Sequence, residues 1–199
     1  MKKNFYPYFN MYTNDGSNIS FEHWQNDLCV DMHRHNFDEL LLIDRGTCRH
    51  MFNKVETLLI PGDAVIVAKH HEHGFIISGE VSVYNCQFNF ESLNERIKSA
   101  LAAGKFFLRT PEDFLDFAWE KYLARREDHY KKEIFPNGIY ELNINKQGVI
   151  HLAPSDYAFV TTILRHGLEE QIRRRENFSL IKQHCLELLL LEIKQAIDF

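Results

Sequence analysis

Cysteine is scarce in this chain of 199 residues: four, at positions 29, 48, 86 and 185, with no Cys-x-x-Cys pair. That spacing argues against a disulfide framework or a sulfur zinc clamp and leads us to expect a reduced, cytoplasmic protein. Cationic excess is missing as well. Against 28 Asp and Glu stand 23 Lys and Arg, a formal charge of -5, the wrong sign for a surface that neutralises nucleic-acid phosphates. If the protein works on DNA, another segment must touch it. A long apolar run is absent too, since Leu186 to Ile193 is interrupted by Glu187 and Glu192 and falls far short of the roughly 20 residues of a membrane helix. The start, Met1-Lys2-Lys3-Asn4, leads into Phe5-Tyr6-Pro7 rather than the apolar core of a signal peptide, so no membrane partner is expected.

What is present divides into two patterns. From Asp27 to Phe90 short β-type runs alternate with turn signals: Leu28–His33, Glu39–Ile43, Thr47–Phe52, Thr57–Ile60, Ala64–Val67, Gly74–Ser78 and Val81–Phe90. Asp44-Arg45-Gly46 and Pro61-Gly62-Asp63 separate neighbours as tight turns. Beyond Phe90 the period becomes helical. Ser92 with Glu95 forms a capping box for a first helix that Gly104 would stop. Thr110-Pro111-Glu112-Asp113 opens a second, fading near Arg125 before Pro136-Asn137-Gly138. A third follows Pro154 towards Arg175, and a last runs from Phe178 to the end. This last helix is apolar on two sides, with Leu186, Leu189, Leu190, Ile193 and Ile197 on one and Leu180, Ile181, Leu188 and Leu191 on the other. Burial within its own domain and packing on a second subunit both stay open. The reading is an α+β chain, residues 1–90 forming a β region and 91–199 a helical region.

Six of the eleven histidines lie between residues 33 and 73. His33 and His35 are two apart on a strand and point the same way, with Glu39 across a short turn. Two imidazoles and a carboxylate, joined by His73, suit Zn, Ni, Fe or Mn, and equally suit hydrogen bonds to a polar ligand. The arginines at 165, 173, 174 and 175 interleave with Glu169, Glu170 and Glu176, which is the pattern of a solvated helix face.

These residues carry a family resemblance. His33-x-His35, three residues, Glu39, six residues, Gly46 resembles the first cupin motif at every spacing, although Asp27 stands where that motif begins with Gly. The second motif is matched by Gly62 and His73, with Ala68, His70 and Ile77 replacing its Pro, Gly and Asn. The resemblance implies a cupin double-stranded β-helix, a jelly-roll barrel, followed by the C-terminal helical segment. A narrower likeness, through His33 to Leu40, Arg45-Gly46, Ile60 to Asp63, His73-Gly74-Phe75, Ile150 to Asp156 and Leu186 to Leu191, is to the sensor domains of AraC-type regulators, the rhamnose-responsive kind among them. It implies a sugar or related ligand in the barrel, a homodimer made through the C-terminal helices, and a DNA-binding domain that is absent from this chain. The apolar stretch Ile193 to Phe199, without a polar cap, fits a chain that continues.

Candidate ligand contacts are His33, His35, Glu39 and His73, with Trp24, Arg49 and Tyr84 as aromatic and bidentate partners of a sugar, core filling being the plainer role for a lone Trp or Tyr. No metal is required, and a divalent ion on His33, His35, Glu39 and His73 is the possible cofactor. The alternative is a metal-dependent cupin enzyme of dioxygenase or isomerase type. A third reading makes the barrel structural and leaves only the helices to bind a protein partner.

Overall fold

Strand alternation decides which residues meet which core. A computed structural model describes residues 8–9, 17–25, 30–52, 55–77, 79–102 and 149–198; the helix expected from Thr110 and the Gly104 stop fall outside them. Ten strands are described: β1 (Tyr8–Phe9), β2 (Ile19–Gln25), β3 (Val30–His35), β4 (Asp38–Arg45), β5 (Cys48–Phe52), β6 (Val55–Leu59), β7 (Asp63–Val67), β8 (His73–Ile77), β9 (Ser82–Phe88) and β10 (Val149–His151). They form two five-stranded sheets, ordered β1-β3-β8-β5-β6 and β10-β7-β4-β9-β2. All described pairings are antiparallel except β1 with β3. The two sheets and the C-terminal helices give the expected α+β jelly roll.

The β runs read from the sequence fall on β3 to β9 with ends shifted by at most two residues. Two strands of the second sheet were not anticipated. β2 carries polar residues between its apolar ones, and β10 is three residues long in the helical half; it pairs with β7 as Val149 on Val65 and His151 on Asp63. The turn at Pro61-Gly62 is held by Asp63, whose carboxylate accepts from Ile60 N at 2.9 Å and meets His151 Nδ1 at 2.8 Å.

Alternation along β4 and β9 sends Leu41, Ile43 and Val83 between the sheets, with Val65, Val67, Cys48, Leu59 and Phe75. Leu40, Leu42, Tyr84, Cys86 and Phe88 face the opposite way and meet the helices. These are α1 (Glu95–Ala102), α2 (Pro154–Arg173) and α3 (Phe178–Asp198). The cap of α1 is Asn94, whose Oδ1 accepts from Arg96 N at 2.9 Å. Ser92 does not cap it: a short helical turn at Phe90–Ser92 intervenes, and the Ser92 hydroxyl donates to Asn89 O at 2.7 Å.

Pro154 opens α2, a position where its missing N–H costs nothing. Arg174 closes it in the left-handed region at φ 48. Leu186, Leu189, Leu190 and Ile193 of α3 are fully buried, while Leu180 and Leu188 are 56% and 40% exposed. One apolar side of this helix is therefore buried and the other divided, Leu180 and Leu188 facing outward while Ile181 and Leu191 pack against the core. Among the described residues no helix is long and apolar enough to cross a membrane.

Candidate functional site

Between the sheets, one zone of an otherwise apolar interior is polar. Three adjacent strands of the first sheet, β3, β8 and β5, contribute the buried His33, His35, His73 and His50. Adjacent strands β4 and β9 of the second sheet contribute Glu39 and Asn85, also buried.

Local sequence explains the convergence. His33 and His35 share the inward side of β3, while Arg34 between them points out and pairs with Glu72. The chain then turns through Asn36 and Phe37. The Phe37 ring stacks on His35 at 4.2 Å, and its carbonyl is 2.6 Å from His35 Nδ1. Crossing to β4 in the other sheet, Glu39 faces back towards the imidazoles. On the opposite side β3 is bulged between Val30 and His33, which places His33 directly across from His73. Gly74 permits this: a Cβ there would lie 2.9 Å from both Met32 N and Val30 O, so a side chain would push β3 away from β8.

The loop leading to His73 solves the loss of the motif glycine differently. His70 stands in its place and adopts φ 71, a left-handed conformation that is strained for a residue with a Cβ. Its N–H donates to His35 O at 2.8 Å, tying the loop to β3.

His33, His35 and His73 each offer a nitrogen within 4.8 Å of the others'. Glu39 Oε2 is 3.5 Å from His73 Nε2 and 3.8 Å from His35 Nε2, and among the described residues it accepts no hydrogen bond, whereas Oε1 accepts from Asn85 Nδ2 at 2.8 Å. A buried carboxylate oxygen without a donor is costly unless something else meets it. An orphaned oxygen beside three imidazoles is a donor set that fits a divalent cation. Backbone partners agree, because His33 Nδ1 is 2.8 Å from Asp31 O and His35 Nδ1 is similarly held. Each Nδ1 therefore carries the hydrogen and Nε2 the lone pair.

Burial sets the charge state. It pushes Glu39 up to about 8 and His35 down to about 4. His50 falls to about 3, burial again leading, followed by repulsion from His33. His33 and His73 are lowered for the same first reason. The imidazoles are thus neutral near pH 7, the form that binds a metal.

The remaining sequence candidates lie apart. Trp24 packs against the inter-sheet core and its indole N–H donates to Glu22 at 2.8 Å. Arg49 is exposed and pairs with Glu56 at 3.2 Å. Tyr84 faces the helices, stacked on His23 at 4.1 Å, its hydroxyl accepting from Arg165 Nε at 2.9 Å. The structure brings together His33, His35, Glu39 and His73; it does not bring Arg49 or Tyr84 to them. His50 and Asn85 were missed. The signal for His50 was its parity with Cys48 and Phe52 on β5, which becomes informative only once the pairing of β5 with β8 is known.

A jelly roll with imidazoles and a carboxylate buried between its sheets is the arrangement that the cupin-motif resemblance implied. Residues 19–116 match the AraC-like ligand binding domain family. No curated protein matches the chain. Solved structures with a similar trace include a cupin superfamily protein from Desulfitobacterium hafniense, 18% identical over 40% of this chain and 74% of that one, TM-score 0.36. A cupin-2 domain protein from Shewanella frigidimarina is 19% identical over 40% and 76%, TM-score 0.34. The Fe(II) HppE complex with substrate is 19% identical over 36% and 46%, TM-score 0.33.

Proposed function

We propose that this chain is the sensing half of a transcriptional regulator, in which a sugar or related small molecule binds in the polar zone between the sheets. Residues 1–90 would hold the ligand, and the helices of 91–199 would join two copies and present DNA-binding domains that lie outside this chain. The observation that carries the reading is that, among the described residues, three of the five buried polar atoms without a hydrogen-bond partner, Glu39 Oε2, Asn85 Oδ1 and His50 Nδ1, gather in a core that is otherwise largely apolar. A ligand rich in hydroxyls supplies what they lack. His33, His35, Glu39 and His73 would make the contacts, directly or by holding a divalent ion. When bound, such an ion supplies positive charge that draws hydroxyl or carboxylate oxygens.

The test is a thermal-shift series against monosaccharides, beginning with rhamnose, with and without added Zn, Ni, Fe or Mn. A true ligand at one hundred times its dissociation constant adds about 2.7 kcal/mol to the folded state. No stabilisation by any sugar or metal combination would count against the reading and favour a purely structural barrel.

A second reading, a metal-dependent cupin enzyme, is favoured by the three imidazoles and Glu39. It requires that turnover of some substrate be lost on chelation and restored by one metal. A sensor has no turnover to lose.

A further inference from the structure

We propose that His50 answers the proton setting of His73, donating to its Nδ1 when the site is empty and accepting from it when a divalent ion is held, so that the two rings switch together. The inference rests on the metal-holding form of the reading above and assigns a positioning role to a residue outside the expected ligand set.

A neutral imidazole has one N–H and one lone pair, so each hydrogen bond constrains the next. A carbonyl can only accept. The 2.6 Å contact of His35 Nδ1 with Phe37 O therefore puts the His35 hydrogen on Nδ1 and leaves a lone pair on Nε2. That Nε2 lies 3.0 Å from His73 Nε2. With His35 unable to donate from Nε2, this 3.0 Å contact, shorter than the 3.5 Å from His73 Nε2 to Glu39 Oε2, is a hydrogen bond when His73 carries Nε2–H. Its Nδ1 is then an acceptor, and the ring nitrogen facing it is His50 Nε2 at 3.4 Å. Without a metal, the protons thus order as His50 Nε2–H to His73 Nδ1, then His73 Nε2–H to His35 Nε2.

A metal shared by His33, His35 and His73 needs a lone pair on His73 Nε2. The hydrogen there must move to Nδ1, which then donates to His50 Nε2, and the His50 hydrogen must move to its own Nδ1. Both rings stay neutral and no proton is gained or lost by the pair. The His50–His73 hydrogen bond survives with donor and acceptor exchanged. A backbone carbonyl, such as those holding His33 and His35, cannot make that exchange; an imidazole can. Packing keeps His50 in place for it: the ring is fully buried and stacks on Phe75 with centroids 4.7 Å apart.

The experiment is NMR of the histidine ring nitrogens in the full isotope-labelled chain, first stripped with chelator and then loaded with Zn(II). In the stripped protein His73 and His50 should both show Nε2–H, and in the zinc form both should show Nδ1–H, while His33 and His35 stay Nδ1–H throughout. A stripped protein with His73 as Nδ1–H overturns the inference. So does a zinc form in which His73 switches and His50 does not. If zinc perturbs none of the nitrogens of His33, His35 and His73, the metal reading fails and takes the inference with it. That outcome is distinct from a site that binds zinc without the exchange.

Zinc affinity adds a second readout. His50→Leu should weaken binding by roughly 10- to 100-fold, and His50→Gln, whose amide can turn to present either group, should keep most of it. Equal affinity in wild type and a folded His50→Leu overturns the role. Should His50→Leu fail to fold, the wild-type spectra still decide.

Discussion

Glu39 and the imidazoles pull the stability of the metal-free protein in opposite directions with pH. His35 and His50 are held to about 4 and about 3, below the usual histidine value, so on acidification the unfolded chain takes up protons that the folded one refuses. Their contribution is therefore present above about pH 6.5 and lost as the pH falls from there through the folded values. Glu39, raised to about 8 from 4.5, does the reverse: the folded protein keeps a proton that the unfolded chain has released, and stability is lost as the pH rises from about 4.5 to 8. In chelator, Glu39→Gln should remove that second loss. The variant, still able to accept from Asn85, should gain in melting temperature over wild type on going from about pH 5 to about pH 8; an unchanged difference across the range would show that Glu39 does not titrate there. Gly46 is a second residue with one clear job. At φ 75, a Cβ would lie 2.1 Å from Glu80 O, so Gly46→Ala should cost at least about 2 kcal/mol in urea unfolding.

At the scale of elements, the helices grip the open edge of the second sheet with side chains. Gln171 of α2 behaves like one residue of a further strand: its Oε1 accepts from Phe21 N at 2.9 Å and its Nε2 donates to Phe21 O at 2.8 Å. Lys182 of α3, buried, donates to Ile19 O at 2.8 Å. Edge strands invite pairing with other chains, and covering them is a known defence. Tyr157 of α2 adds a contact with the end of β4, its hydroxyl donating to Asp44 Oδ1 at 2.7 Å. Gln171→Ala leaves both Phe21 groups without their partner and should destabilise by about 1–3 kcal/mol. Faster amide exchange at Phe21 would locate the effect; an unchanged rate there would mean that the helix is not what closes the edge. Because β4 carries Glu39 near its start and Asp44 near its end, the same strand touches both the polar zone and α2.

For the whole molecule, the question is what the outer side of the helix pair meets. Phe159, Ile172, Leu180 and Leu188 are 47%, 71%, 56% and 40% exposed, a number of large apolar side chains that suits association. If the chain dimerises through α2 and α3, Ile172→Lys combined with Leu180→Lys should convert a dimer to a monomer in sedimentation. Exposed positions cost within about 0.5 kcal/mol when changed, so the fold should survive. A dimer that persists would place the interface elsewhere.

Much of the barrel was legible in the sequence because alternation and turn residues are local. The runs from β3 to β9, the Gly46 and Gly62 turns and the Pro154 start of α2 all depend on a few neighbouring residues. The spacing of His33, His35 and Glu39 was legible for the same reason: two residues on one strand side and a short crossing to the next sheet. Other features depended on pairing between distant segments. β10 joins β7 across more than eighty intervening residues, Asn94 rather than Ser92 caps α1 because a helical turn comes between, and Tyr84 faces the helices because β9 has a definite register on β4. His50 was marked only by its parity with Cys48 and Phe52, which means nothing until β5 is paired with β8. By itself, the sequence determined the strand rhythm, the Pro154 start of α2 and which residues could bind chemistry. Only the tertiary structure decided which of them meet, since that depends on register and on which sheet each strand joins.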